Sequence, residues 1–272
     1  MPFVSLNTSS LLPDVSPVQI YYREAGIGPP LILLHGGWGY DMYPFDRQVK
    51  QLAQDHRCLS PDRSGYGRSM KLAGELPKEF HSHAAIETLN FMDALGIERA
   101  NFWGHSDGAV IAAILGFTAP ERVSGLILEA FHYYALKLSS REFFGALASE
   151  PETLGTELCE RFARDFGADY WRHLITTHAN AWIQLARAAN QPDDDLYEGR
   201  LKEIEAPTLF IHGRLDPRTE PGELDAVRSQ MPGAWMEVLD LSAHSPHSEA
   251  AVANQVTELA EGFLSKSQHR TP

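Results

Sequence analysis

Short hydrophobic runs recur along the chain and alternate with longer stretches of helical periodicity. A continuous apolar run, typical of a strand covered on both faces, occupies residues 31–34, and residues 123–129 and 207–212 are also predicted to be strands. Further segments predict strands at residues 18–23, 58–60, 99–103 and 235–239, and helices at residues 45–54, 80–95, 109–115 and 249–264. This alternation predicts an α/β fold with a mostly parallel central sheet and helices on both of its faces.

Residues 132–200 interrupt the alternation, because this stretch is aromatic and helix-prone and contains no clear strand pattern. The sequence therefore predicts one α/β core domain formed by residues 1–131 and 201–272. Residues 132–200 are predicted to be a helical cap, or lid, inserted above the sheet. A chain of 272 residues is long enough for one large domain with such an insertion.

Composition narrows the classes of partner. Hydrophobic residues make up 43 % of the chain and charged residues 22 %, which are ordinary values for a folded domain. The net charge of −13 disfavours nucleic acids and anionic membrane surfaces as partners, because both are negatively charged. We expect a small-molecule substrate instead, and the sequence leaves the oligomeric state open.

Targeting signals are not visible in the sequence. The N-terminus shows no basic segment followed by an apolar stretch, and no apolar run approaches the ~20 residues that a membrane span requires. The two cysteines, Cys58 and Cys159, are far apart, and a chain of this size does not depend on disulfides. We therefore expect reduced thiols and a cytoplasmic location.

The most informative local pattern is Gly104-His105-Ser106-Asp107-Gly108, which matches G-x-S-x-G. The pattern is typical of a nucleophile elbow, a sharp strand-to-helix turn where side chains in place of the glycines would collide with backbone. The flanks agree, since a predicted strand precedes the motif and an alanine-rich helical stretch follows it. Ser106 is therefore the predicted nucleophile.

A serine hydroxyl needs a base that takes its proton and a carboxylate that orients the base. In elbow enzymes the acid and then the histidine follow the nucleophile along the chain. Asp216 follows the predicted strand at residues 207–212 and His244 follows the last predicted strand, so the order predicts a Ser106–His244–Asp216 triad. Three residues stand at competing positions, namely Glu129 and Asp240 as the acid and His247 as the base.

The segment His35-Gly36-Gly37-Trp38-Gly39 follows the predicted strand at residues 31–34. Stabilising an oxyanion requires two backbone N–H donors, and one should be that of Asp107, directly after the nucleophile. We predict Gly37 as the second donor, with Trp38 as the alternative. A phosphate-binding role is disfavoured, because the segment lacks the lysine and Ser/Thr of a P-loop.

These motifs, together with residues 62–69 (Asp-Arg-Ser-Gly-Tyr-Gly-Arg-Ser), resemble the α/β-hydrolase fold superfamily over nearly the whole chain. The Ser-Asp-Gly of the elbow, the acid loop around Asp216 and residues 166–171 resemble its valacyclovir-hydrolase (biphenyl hydrolase-like) branch. The resemblance implies hydrolysis of small esters, amino-acid esters among them.

We therefore expect a serine hydrolase that cleaves a small carboxylic ester through an acyl-enzyme intermediate, without a cofactor. Two alternatives use the same triad, a carbon–carbon bond hydrolase and an enol-lactonase. A third alternative is a ligand-binding protein that keeps the fold and has no catalytic activity.

Substrate contacts are expected from Trp38, Phe131 and Tyr134, which are aromatic residues close to the predicted site. If the Asp107 carboxylate faces the pocket, it favours a cationic group such as an α-amino group. Hydrogen bonds within the elbow are the equally open alternative for this carboxylate. His81 and His83 lack an accompanying ligand cluster, so we expect a solvated helix start there and no metal site.

Overall fold

A central eight-stranded sheet organises the protein, whose computed structural model describes residues 3–268. The strands are β1 (Phe3–Leu6), β2 (Val18–Ala25), β3 (Pro30–Leu34), β4 (Arg57–Pro61), β5 (Ala100–His105), β6 (Val123–Glu129), β7 (Thr208–Gly213) and β8 (Trp235–Leu239). They lie in the order β1-β2-β4-β3-β5-β6-β7-β8. The β1–β2 and β2–β4 pairs are antiparallel and the five other pairs are parallel, which confirms the predicted mostly parallel sheet.

Helices cover both faces of this sheet. They are α1 (Asp46–Leu52), α2 (Phe80–Ala94), α3 (Asp107–Thr118), α4 (Arg141–Ser149), α5 (Thr156–Phe166), α6 (Trp171–Ala188), α7 (Glu223–Gln230) and α8 (Ala253–Gln268). Successive residues of β3 point to opposite faces. Leu31 and Leu33 pack with α1 and α8, whereas Ile32 and Leu34 pack with α2 and α3. The continuous apolar run of β3 follows from this two-sided cover.

Two elements were not expected from the hydrophobic pattern. In β1 the only buried residue is Leu6, so the strand shows no alternation that distinguishes it from a loop. Helix α7 is mostly polar and buries only Glu223 and Val227, which leaves it without an apolar stripe. The predicted C-terminal helix begins later than expected, at Ala253, and residues 250–252 before it form a turn.

Residues 132–200 contain helices α4, α5 and α6 and, in the part of the chain that the structure describes, no strand beyond an isolated bridge between Tyr134 and Asp195. Buried residues of this stretch, such as Phe162 and Leu174, belong to the same hydrophobic cluster as α2 and α3. The division into a core domain and a cap at residues 132 and 200 stays a prediction.

Two further observations concern the expectations about membranes and thiols. Of the helices in the described residues, none is both long and apolar enough to pass through a bilayer. Cys58 is buried in β4 and Cys159 lies on α5, and neither forms a disulfide. The cytoplasmic location stays a prediction.

Candidate active site

Ser106 occupies a strained turn between β5 and α3. Its backbone angles are φ 55° and ψ −120°, which L-residues adopt rarely and at a cost of about 1–3 kcal/mol. The flanking glycines permit the turn, because a Cβ at Gly104 would lie 2.1 Å from the carbonyl oxygen of Gly108. A Cβ at Gly108 would in turn lie 2.0 Å from the carbonyl oxygen of Leu34. The G-x-S-x-G pattern therefore has a steric cause at both glycines.

The structure brings Ser106, His244 and Asp216 into one hydrogen-bonded chain. Nδ1 of His244 lies 2.8 Å from Oδ2 of Asp216, and Nε2 lies 3.1 Å from the Ser106 hydroxyl oxygen. Because an ionised carboxylate only accepts, Nδ1–H donates to Asp216 and Nε2 is free to accept the serine proton. Burial alone would raise the pKa of Asp216, but the neighbouring His244 and His212 lower it, so the carboxylate stays ionised.

Glu129 and His247, the alternative acid and base, hydrogen-bond to each other and not to Ser106. Glu129, at the end of β6, accepts hydrogen bonds from both Nδ1–H and the backbone N–H of His247, each at 2.8 Å. Its other oxygen accepts from Nε1–H of Trp103. The His247 ring stacks on Phe45 at 4.1 Å, away from the nucleophile. Asp240, the third alternative, is exposed and pairs with Arg214.

A second histidine also reaches the nucleophile. Nε2 of His132 lies 3.4 Å from the Ser106 hydroxyl oxygen, and the His132 ring stacks on that of His244 at 5.6 Å. Burial lowers the pKa of His132 well below its usual range, and Lys137 and His244 add to the effect. The ring is therefore neutral at working pH. Sequence reasoning placed His132 among the aromatic residues of the cap and gave it no role.

The backbone groups predicted to bind an oxyanion surround the nucleophile. Gly37, Trp38 and Asp107 all line the same cavity as Ser106. Among the described residues, none accepts a hydrogen bond from their backbone N–H groups. Asp107 is the first residue of α3, and helix N-termini leave such groups without an intrahelical partner. A Cβ at Gly37 would lie 2.3 Å from Cε1 of His178, so the backbone packs closely there.

The Asp107 carboxylate lies against the cavity, but protein donors already occupy both of its oxygens. Oδ1 lies 3.1 Å from Nε2 of His81 and accepts from Nε1–H of Trp182 at 3.2 Å. Oδ2 lies 2.6 Å from Nε2 of His178 and 4.0 Å from the Arg63 guanidinium. Burial alone would raise the pKa of Asp107, but His178 and His81 hold it well below its usual range.

These contacts correct the expectation for His81. The sequence predicted a solvated helix start, whereas the His81 side chain is only 4 % exposed and packs between Phe80 and Trp182. The reason is that the first turn of α2 lies against the elbow helix, where Asp107 offers an acceptor. A signal for this pairing is not present in the local sequence.

A cavity of about 300 Å³ contains the nucleophile and is walled largely by aromatic side chains. Trp38, one of the predicted substrate contacts, lies in this wall with Phe143 and Phe144. The structure does not bring Phe131 or Tyr134 to the cavity. Phe131 is 2 % exposed and stacks on Tyr197, while Tyr134 pairs with Asp195.

Arg218 also lines the cavity, two residues after Asp216, and was not singled out by the sequence. Its backbone N–H donates to Oδ1 of Asp216 at 2.9 Å, and its guanidinium carbon lies 3.7 Å from the Phe143 ring centroid. Burial lowers its pKa, and nearby Asp216 opposes that effect. An arginine remains charged under such conditions.

Three residues beside the elbow have the side-chain types of a metal site. Ligand atoms of His105, Glu129 and His247 lie within 4.8 Å of one another. The Nδ1 of His247 is bonded to Glu129 and its Nε2 to the carbonyl oxygen of Tyr43. Nε2 of His105 is bonded to the carbonyl oxygen of His244. A metal would have to displace these bonds, so the cluster is better explained as support for the His244 loop.

Comparisons with known proteins find a matching family model and similar hydrolases. A family model described as the alpha/beta hydrolase fold matches residues 29–139. The protein named "Putative carbamate hydrolase RutD" from Pseudomonas savastanoi pv. phaseolicola is 32 % identical over 228 residues, covering 79 % of this chain and 87 % of that protein. Serine hydrolase BPHL from Homo sapiens is 23 % identical over 253 residues, covering 92 % of this chain and 84 % of that protein.

A solved structure has the same fold. A hydrolase from Pseudomonas aeruginosa PA01 superposes with a TM-score of 0.71 at 24 % sequence identity. The match covers 96 % of this chain and 98 % of the other. At 24 % sequence identity, this similarity is evidence for the fold alone.

Proposed function

Because the chain belongs to the α/β-hydrolase fold superfamily, and to its BPHL-like branch, we propose that it is a serine hydrolase acting on a small carboxylic ester. The observation that carries the proposal is the hydrogen-bonded chain from Ser106 through His244 to Asp216. Named relatives of the chain are hydrolases. Catalysis by this arrangement needs no cofactor.

In the proposed first half-reaction, the Ser106 hydroxyl oxygen attacks the acyl carbon while Nε2 of His244 takes its proton. Asp216 stays ionised and holds the imidazole in the tautomer that can accept this proton. The negative charge formed on the acyl oxygen is stabilised by the N–H groups of Asp107 and of Gly37 or Trp38. His244 then donates its proton to the departing alcohol, which leaves an acyl-enzyme.

In the second half-reaction, water attacks the acyl carbon and His244 takes a proton from it. Collapse of the second tetrahedral intermediate releases the carboxylic acid and returns the proton to Ser106. Each turnover thus consumes one ester and one water and forms one acid and one alcohol. The strained backbone of Ser106 keeps its oxygen at the cavity throughout.

The proposal is tested by labelling with a fluorophosphonate, which reacts covalently with an activated serine. We expect stoichiometric labelling of the wild-type protein and none of the Ser106→Ala variant. Ester turnover by Ser106→Ala should fall by at least ~10⁴-fold, because the covalent route is lost. Ser229→Ala, an exposed serine on α7, is the matched control and should label like the wild type.

Two outcomes contradict the proposal. Absence of labelling in the folded wild type favours the alternative of a non-catalytic ligand-binding protein. Ester hydrolysis that survives Ser106→Ala refutes the assigned nucleophile. A labelled protein that cleaves no ester in a panel of aryl and alkyl esters directs attention to the carbon–carbon hydrolase and enol-lactonase alternatives, which use the same triad.

A further inference from the structure

Arg218 is a half-buried cation in the wall of the cavity, and its guanidinium has no protein acceptor among the described residues. In the described range, no side chain or carbonyl accepts a hydrogen bond from its guanidinium, and no carboxylate lies within 4.0 Å of it. Its contacts are with the rings of Phe143 at 3.7 Å and Phe144 at 5.8 Å. Stacking uses the flat face of a guanidinium and leaves the N–H groups along its edge unpaired.

The two carboxylates that line the cavity, Asp107 and Glu249, are hydrogen-bonded to other donors, and neither lies within 4.0 Å of the Arg218 guanidinium. Asp107 accepts from His178, His81 and Trp182, as described above. Glu249 accepts from the backbone N–H groups of Ala243 and Ser245 and from the Ser242 hydroxyl. The Arg218 guanidinium is therefore the cation of the cavity whose N–H donors are open to a ligand.

Removing part of the water around a charge without supplying a partner carries a free-energy cost, which a half-buried guanidinium bears in part. Leaving one arginine unpaired in a substrate cavity is understandable if the ligand supplies the counter-ion. The edge of a guanidinium matches a carboxylate, to which it can donate two parallel hydrogen bonds. The aromatic walls formed by Trp38, Phe143 and Phe144 accommodate the apolar remainder of such a ligand.

We propose that Arg218 binds a free carboxylate of the substrate, so that the preferred substrate is an ester carrying a second, unesterified carboxylate. This inference rests on the proposed hydrolase function and specifies its substrate class. The loop that supplies Asp216 would then also supply the residue that recognises the substrate, because Arg218 follows Asp216 by two positions.

Two pairs of esters test the proposal on both sides of the scissile bond. The first pair is the p-nitrophenyl monoester of adipic acid and the p-nitrophenyl ester of adipamic acid. The second pair is 3-carboxyphenyl hexanoate and 3-carbamoylphenyl hexanoate. Members of a pair have similar size, and only the charge differs. We expect the wild-type kcat/KM to favour the carboxylate member of at least one pair by roughly 10- to 100-fold, as charged hydrogen bonds imply.

Variants assign the preference to a residue. Arg218→Gln should reduce the carboxylate-to-amide ratio of kcat/KM to about one, and Arg218→Lys should retain part of it because the charge remains. Arg214→Gln is the matched control. Arg214 lies in the same loop, but its side chain is 62 % exposed and pairs with Asp240, so the wild-type ratio should persist.

Several results would overturn the proposal. If the wild type shows equal kcat/KM for the two esters of each pair, it has no carboxylate preference. This result alone would refute the proposal, before any variant is measured. A full preference retained by Arg218→Gln excludes this residue as its source. Fluorophosphonate labelling of Ser106, which requires no carboxylate, is measured in parallel. If Ser106 is labelled but the carboxylate esters are not preferred, only this inference is contradicted. If Ser106 is not labelled and no ester is hydrolysed, the proposed function is contradicted.

Discussion

Two histidine rings reach the Ser106 hydroxyl oxygen, and hydrogen bonding distinguishes their roles. His244 carries a carboxylate partner on Nδ1, whereas among the described residues no carboxylate bonds to His132. The charge that a base gains on taking a proton is stabilised only where such a partner is present. His244 is therefore the proposed base, and His132 is a neutral neighbour that contributes one long contact to the nucleophile.

His244→Ala should lower kcat by at least ~10⁴-fold, whereas His132→Ala should lower it only about 3- to 10-fold, the worth of one neutral hydrogen bond. Because burial keeps His132 neutral and Asp216 stays ionised, neither group titrates near neutral pH. His132→Ala should therefore leave the midpoint of the acid limb of the kcat/KM profile unchanged. Equal losses in the two variants, or a shifted midpoint in His132→Ala, would contradict these roles.

The occupied carboxylate of Asp107 bears on amino-acid esters. The sequence left open whether this group faces the substrate or is bonded within the protein, and the structure shows donors on both oxygens. We expect kcat/KM for an aminoacyl p-nitrophenyl ester and its des-amino analogue to agree within about threefold, since His81, Trp182 and His178 already hydrogen-bond to the Asp107 oxygens. A preference of tenfold or more for the amino ester would contradict this expectation.

At the scale of elements, the turn between β5 and α3 depends on backbone that approaches backbone. An added Cβ at Gly108 would lie 2.0 Å from a carbonyl oxygen of β3, and neither atom belongs to a flexible side chain. Gly108→Ala should therefore destabilise the protein by more than ~2 kcal/mol and reduce soluble yield, because sheet and helix must separate.

Gly145 in the middle of α4 is the matched control for Gly108. Nothing lies within 4 Å of its would-be Cβ, and alanine is the better helix former. Gly145→Ala should stabilise the protein by about 0.5–1 kcal/mol. Urea unfolding of both variants measures the two effects, and a Gly108→Ala variant as stable as the wild type would refute the steric account.

Elements with a strong local pattern were predictable, and those without it were not. Strand β6 was predicted with its observed bounds, because its apolar run is covered on both faces. Helix α7 was missed because tertiary contacts stabilise it through Glu223, a buried carboxylate on an otherwise polar helix. The periodicity of hydrophobic residues gives no signal for a tertiary contact made by a buried carboxylate.

At the scale of the whole molecule, Glu223 connects α7 to the start of the predicted cap. Its carboxylate accepts from the Lys137 ammonium group at 2.7 Å and from the backbone N–H groups of Tyr133 and Tyr134. Both charged side chains are almost fully buried, with exposures of 3 % and 0 %. A buried pair that loses one charge leaves the other without compensation.

Glu223→Gln should therefore lower the free energy of unfolding by about 3–5 kcal/mol. Asp225→Asn, on the same helix, removes an exposed partner of Arg228 and should cost at most about 1 kcal/mol. Chemical denaturation of the two variants gives the comparison. Similar small losses in both would show that the buried pair does not hold this junction together.

Local pattern in the sequence determined the α/β class, most elements and the candidates for the triad. Periodicity and the spacing of glycines depend on neighbours in the chain, so they are visible without a structure. Tertiary structure decided the pairings. His244 rather than His247 reaches Ser106, and Glu129 is engaged elsewhere, through contacts between residues 118 to 138 positions apart. It also decided that the Arg218 guanidinium has no acceptor within the described part of the chain, because folding sets the partners of a half-buried charge.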